Sequence, residues 1–117
     1  MIRLIATALV VSLILCTQAS AASLLSEREA RAKAIAILKG DPYGATDAEV
    51  AGNIKQTKWE EDGKTQACGP RSIPAWEFHV VVVTGNKDQF NNGIIDGYLA
   101  LDARSGKLLC TNLPLLD

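Results

Sequence analysis

The chain has 117 residues, a net charge of −1, 48% hydrophobic residues and 21% charged ones. Such a near-neutral balance, with both signs interspersed, lacks the basic patch that a phosphate-backbone binder needs, so nucleic acid is excluded as an expected partner. The length suits one small domain and leaves no room for two.

The chain opens MIRLIATALVVSLILCTQASAA. Arg3 supplies a positive start, Leu4 to Cys16 is an apolar run broken only by Thr7 and Ser12, and Ala19-Ser20-Ala21 offers a small-x-small cleavage pattern. This predicts a signal peptide over residues 1–22 and export to the periplasm or the medium. The apolar run is shorter than the roughly 20 residues of a membrane span, so no membrane attachment is expected after cleavage. Leu15 stands where a lipidated cysteine usually has a small neighbour, which argues against an anchor on Cys16. A single domain over 23–117 remains, one unit more negative without Arg3.

Ser26-Glu27-Arg28-Glu29 is a capping box, with Leu25 at the staple position before it. The following ARAKAIAILK is rich in strong helix formers. Ala30, Ala34, Ile37 and Leu38 share one face at helical spacing, with Arg28, Arg31 and Lys39 away from it. Glu29 and Lys33 are an i,i+4 pair. Gly40 and Pro42 stop the helix, which is expected over Glu27 to Lys39. Thr46 and Glu49 form a weaker box that predicts a helical turn near Asp47 to Ala51.

Ile54 to Glu60 alternates weakly, with Thr57 and Trp59 favouring a strand. Asp62-Gly63 is a hairpin signal that calls for at most a short strand after it. ACGPRSIP then reads as a loop holding Cys68. Ala75 to Thr84 is the clearest strand: Trp76, Phe78, Val80 and Val82 point one way, toward the helix, and Glu77, His79, Val81 and Val83 the other. GNKDQFNNG is a loop and Ile94 to Asp102 another strand. Ala103 to Gly106 is a tight turn and Lys107 to Thr111 pairs back. Asp102 is placed to accept turn amides and Gly106 to take a positive φ. Leu99, Leu101, Leu108 and Cys110 are expected to alternate on one face, and the apolar tail NLPLLD to lie against the sheet. The sum is an α+β fold, one N-terminal helix packed on an antiparallel sheet of about four strands.

Cys68 and Cys110 remain after cleavage. In an oxidising compartment their pairing is expected, closing about 40 residues and contributing about 4 kcal/mol in the loop-entropy picture. Free thiols and metal ligation are the alternatives, the latter disfavoured without nearby histidine.

Three stretches, LLSEREARAKAIAIL, PAWEFHVVV and GYLALDARSGKLL, resemble the opening helix, central strand and closing hairpin of the PepSY domain family. The resemblance implies a PepSY-like fold, no catalytic residues, and a role in protease inhibition or cell-envelope regulation. The long loop around Cys68 and the cysteine pair depart from that pattern.

The residues offer little chemistry. His79 is the single histidine, sits in mid-strand near Glu77, with which it could pair, and has no nucleophile elbow to serve. Asp96 and Asp102 are about 20 Å apart at strand rise, too far for an acid–base pair. No phosphate-cradling loop, metal-ligand set or other cofactor motif is evident. Neither an enzyme nor a cofactor is therefore expected. The expected function is an exported binding module that occludes a protein partner, a peptidase on the resemblance. The alternative is a sensor of small ligands or envelope components, with a cleft between helix and sheet lined by Trp59, His79 and Tyr98. Trp59 and Trp76 are expected in the core unless one anchors a partner. The loops Cys68 to Pro74 and Gly85 to Gly93 are further candidate binding elements.

Overall fold

The first helix begins where the capping box predicts. In the computed structural model, which describes residues 23–116, α1 runs Glu27–Leu38. The Ser26 hydroxyl accepts from the Glu29 amide at 3.1 Å and the Glu29 carboxylate accepts from the Ser26 amide at 3.0 Å. Hydrogen bonding to the carboxylate, first from the Ser26 amide and then from its hydroxyl, holds the Glu29 carboxyl below its ordinary range. The expected signal peptide, 1–22, lies outside the described residues.

Ala30, Ala34 and Leu38 are fully buried, whereas Ile37 is only half-buried. Arg31 departs from the expectation that it faces solvent. Its guanidinium donates to the Ala51 carbonyl at 3.0 Å and to the Thr57 hydroxyl at 3.3 Å, tying α1 to its neighbours. Helix α2 (Asp47–Asn53) is longer than the single turn expected, and Thr46 caps it by accepting from the Glu49 amide. Arg31 thus meets a carbonyl near the C-terminal end of α2, where a cation is favoured.

Four strands follow: β1 (Ile54–Glu60), β2 (Ala75–Val83), β3 (Ile94–Asp102) and β4 (Leu108–Thr111). They form one antiparallel sheet in the order β1-β2-β3-β4. The fold is α+β, as the patterning predicts, with a second helix added. Asp62-Gly63 makes a turn, Gly63 donating to the Glu60 carbonyl, but no strand forms between residues 61 and 74. β1 pairs with β2 directly, and the intervening residues become a long loop.

The helix-side face of the sheet carries the core. Phe78, Val80, Leu99 and Leu101 are fully buried against Ala30, Ala34, Leu38 and Val50. Tyr43 belongs to this core at 2% exposure, and its hydroxyl donates to the Pro114 carbonyl. Burial pushes its phenol up to about 12. The tail crosses the same face where Gly97 leaves room. A Cβ at Gly97 would lie 2.6 Å from Asn112 Oδ1 and 2.9 Å from the Leu113 side chain. Leu113 is buried and Leu116 packs on the core, while Leu115 points to solvent.

Two irregularities redirect the strands. Between Ile54 and Gln56 the register of β1 on β2 slips, so Ile54 faces the core and Gln56 the opposite side. Between Leu108 and Cys110 an extra residue, Leu109, does the same: Leu108 opposes Leu101 but Cys110 opposes Ala100. The expectation that Leu108 and Cys110 share a face is therefore corrected. The closing turn itself is as expected, with Asp102 accepting from the Arg104 and Ser105 amides and Gly106 at φ +75°.

Candidate functional site

The second bulge makes the cross-link possible. Cys110, turned away from the core, meets Cys68 with Cα atoms 5.2 Å apart, and the two are disulfide-bonded across a sequence separation of 42. The bond straps the loop between β1 and β2 over one end of the sheet's second face. Under the strap, Ala100 is fully buried and Glu77 is 4% exposed. The Thr65 hydroxyl accepts from the Cys68 amide at 2.9 Å, and Glu77 Oε2 accepts from the Ala67 amide at 3.0 Å.

Past the strap the second face is only partly covered, from half-buried His79, Val81 and Tyr98 to exposed Val83, Ile94 and Asp96. His79 and Tyr98 are direct cross-strand partners, with ring centroids 4.7 Å apart and planes at 16°. His79 Nε2 lies 2.7 Å from Asp96 Oδ1, the diagonal neighbour on β3. This corrects the expected pairing of His79 with Glu77, whose carboxylate turns to the strap instead. Farther along, Val83 is 79% exposed opposite the exposed Ile94. The loop from Gly85 to Gly93 closes that end. It is locally ordered: Asn86 donates to the Thr84 hydroxyl and accepts from the Gln89 amide, while Phe90 packs on the core.

A shallow cleft of about 170 Å³ lies between strap and rings, lined by Gln56, Lys58, Gln66, Glu77, His79 and Tyr98. The Lys58 ammonium is 3.2 Å from Glu60 Oε1, on its own strand, rather than on Glu77, its cross-strand partner. Among the described residues, no three His, Cys, Asp or Glu side chains cluster as a metal site.

The structure sorts the four candidate binding residues into two pairs on opposite faces of the sheet. His79 and Tyr98 share the second face. Trp59 and Trp76 are cross-strand partners on the helix side, with ring centroids 5.1 Å apart. Trp76 is half-buried and its indole donates to the Leu25 carbonyl at 3.0 Å, while Trp59 stays 37% exposed at the sheet edge. The expected cleft lined jointly by Trp59, His79 and Tyr98 is therefore split by the sheet itself: Trp59 pairs with Trp76, three residues before His79 on β2, and successive strand residues project to opposite sides. No local sequence signal marks Gln56, Lys58 or Gln66 as lining a cleft. The β1 slip places Gln56, and only the course of the strap places Gln66. Among the described residues, no helix is long and apolar enough to cross a membrane. Set beside models of known protein families, curated proteins and solved structures, the chain matches none of them.

Proposed function

We propose that this chain is an exported, non-catalytic binding module that works by occluding a protein partner, a peptidase on the strength of the PepSY resemblance. The observation that carries this reading is the partly covered half of the second sheet face. A four-stranded sheet that leaves Val83 and Ile94 exposed and the His79–Tyr98 pair half-exposed has surface to offer a partner. A disulfide-tethered loop beside it is held in place before binding and loses less entropy on association. The apolar leader in the sequence and the cysteine pair both support export.

The cleft also favours a second reading, the small-ligand sensor, now without Trp59. At about 170 Å³ it falls short of the roughly 300 Å³ at which ligand pockets begin, so it fits a side chain or small fragment better than a whole metabolite. The test is capture from the native exported fraction with the oxidised protein as bait, alongside the double variant His79→Gln/Val83→Lys. The expected result is a peptidase retained by the wild type, inhibited by it, and lost with the variant. Retention of small molecules or envelope fragments alone would overturn the reading.

A further inference from the structure

Glu77 is the most deeply buried charged side chain of the sheet and has no countercharge. Only 4% of it is exposed, and among the described residues it takes part in no ion pair within 4.0 Å. One oxygen accepts the Ala67 amide. Among the described residues the other makes no hydrogen bond, yet no fully buried side-chain oxygen there lacks a partner. That second oxygen therefore opens on the cleft that Glu77 lines. Burying a carboxylate without a cation is costly, and the cost falls when a cation arrives.

The surroundings suit a flat cation. On this face Glu60 engages Lys58 at 3.2 Å and Asp96 engages His79 at 2.7 Å, so Glu77 is the one carboxylate lining the cleft and the nearby ammonium is already held elsewhere. Gln56 and Gln66, whose side-chain amides can supply acceptors, line its walls, and the stacked His79 and Tyr98 rings flank it. A guanidinium brings five in-plane donors for carboxylate and amide oxygens and packs well beside rings. An ammonium can also meet a ring face, but it lacks the planar donor fork.

We infer that the cleft between the disulfide strap and the His79–Tyr98 pair receives an arginine side chain, held by the Glu77 carboxylate. The inference rests on the binding-module reading for the origin of that arginine, a protein partner. The preference of the cleft for guanidinium stands apart from it.

The probe is N-acetyl-arginine methylamide, titrated into the oxidised protein and followed by amide and side-chain NMR shifts. N-acetyl-citrulline methylamide serves as the neutral isostere and N-acetyl-glutamate as the anion control. Saturable shifts at Gln56, Glu77, His79 and Tyr98 are expected, with a Kd on the order of 1 mM for so small a ligand. Citrulline should bind at least about tenfold more weakly. Glu77→Gln, which keeps an acceptor for the Ala67 amide, should weaken arginine binding by about the same factor, while Lys58→Ala should bind at least as tightly as the wild type. Equal binding of arginine and citrulline would overturn the inference. So would preference for the anion with loss in Lys58→Ala, or no saturable shift at all. If the arginine probe fails while the wild type still retains a peptidase, the cleft assignment falls and the module reading stands. The converse outcome leaves the cleft and removes the module.

Discussion

The two faces of the sheet divide the work of this molecule. On one, α1, α2 and the C-terminal tail bury Phe78, Val80, Leu99 and Leu101 completely. On the other, a single disulfide holds a loop over Glu77 and Ala100 and leaves the remainder open. The first face is closed by apolar packing, which needs no particular chemistry. The second is half closed by a covalent bond, which leaves polar side chains at the boundary between covered and partly covered surface. A binding site is best placed at such a boundary, where groups are fixed but reachable.

The contrast can be broken hardest at Phe78. Phe78→Ala should cost about 3–5 kcal/mol, read as a lower denaturant midpoint. Cys68→Ser/Cys110→Ser comes next, at about 2–5 kcal/mol, with loss of exchange protection at the Ala67 and Cys68 amides. The neighbours Val82 and Val83 sharpen the comparison because they face opposite sides at 6% and 79% exposure. Val82→Thr should cost about 1–3 kcal/mol by burying a hydroxyl. Val83→Thr should stay within about 0.5 kcal/mol of the wild type.

Alkaline stability gives a smaller signal from the buried face alone. The Tyr43 phenol ionises near 10 when unfolded and at about 12 when folded. Between those values the unfolded chain has lost a proton that the native state keeps, so stability falls as pH rises from about 10 to about 12. Tyr43→Phe removes that component of the loss, at the expense of the bond to Pro114, and unfolding curves of the two proteins at pH 8 and pH 11 check it. Ser26→Ala should cost about 1 kcal/mol by removing the helix cap.

Much of the buried face is legible from residue pattern. The Ser26 box, the alternation of Trp76 to Val82 and the Asp102–Gly106 turn are local signals, and each appears in the structure where the pattern puts it. The second face is poorly legible because it depends on two register slips, at Lys55 and Leu109, and on the path of an irregular loop. A slip of one residue reverses every side chain beyond it. Trp59 and His79 could thus be read as candidates one by one, but not sorted to opposite sides without the β1 register. The cysteines were the one long-range signal, and they mark where the strap lands. Lys33 shows the same limit at small scale: a Cβ at Gly106 would lie 2.1 Å from its side-chain stem, so it reaches over the closing turn as well as toward Glu29.

The division of labour is tested most directly by measuring unfolding midpoint and partner retention together in Phe78→Leu and in His79→Gln/Val83→Lys. The first variant should have a clearly lower midpoint and keep the partner under native conditions; the second should nearly keep the midpoint and lose the partner. A folded Phe78→Leu protein that loses the partner, or a double variant that still binds it as the wild type does, would contradict the account.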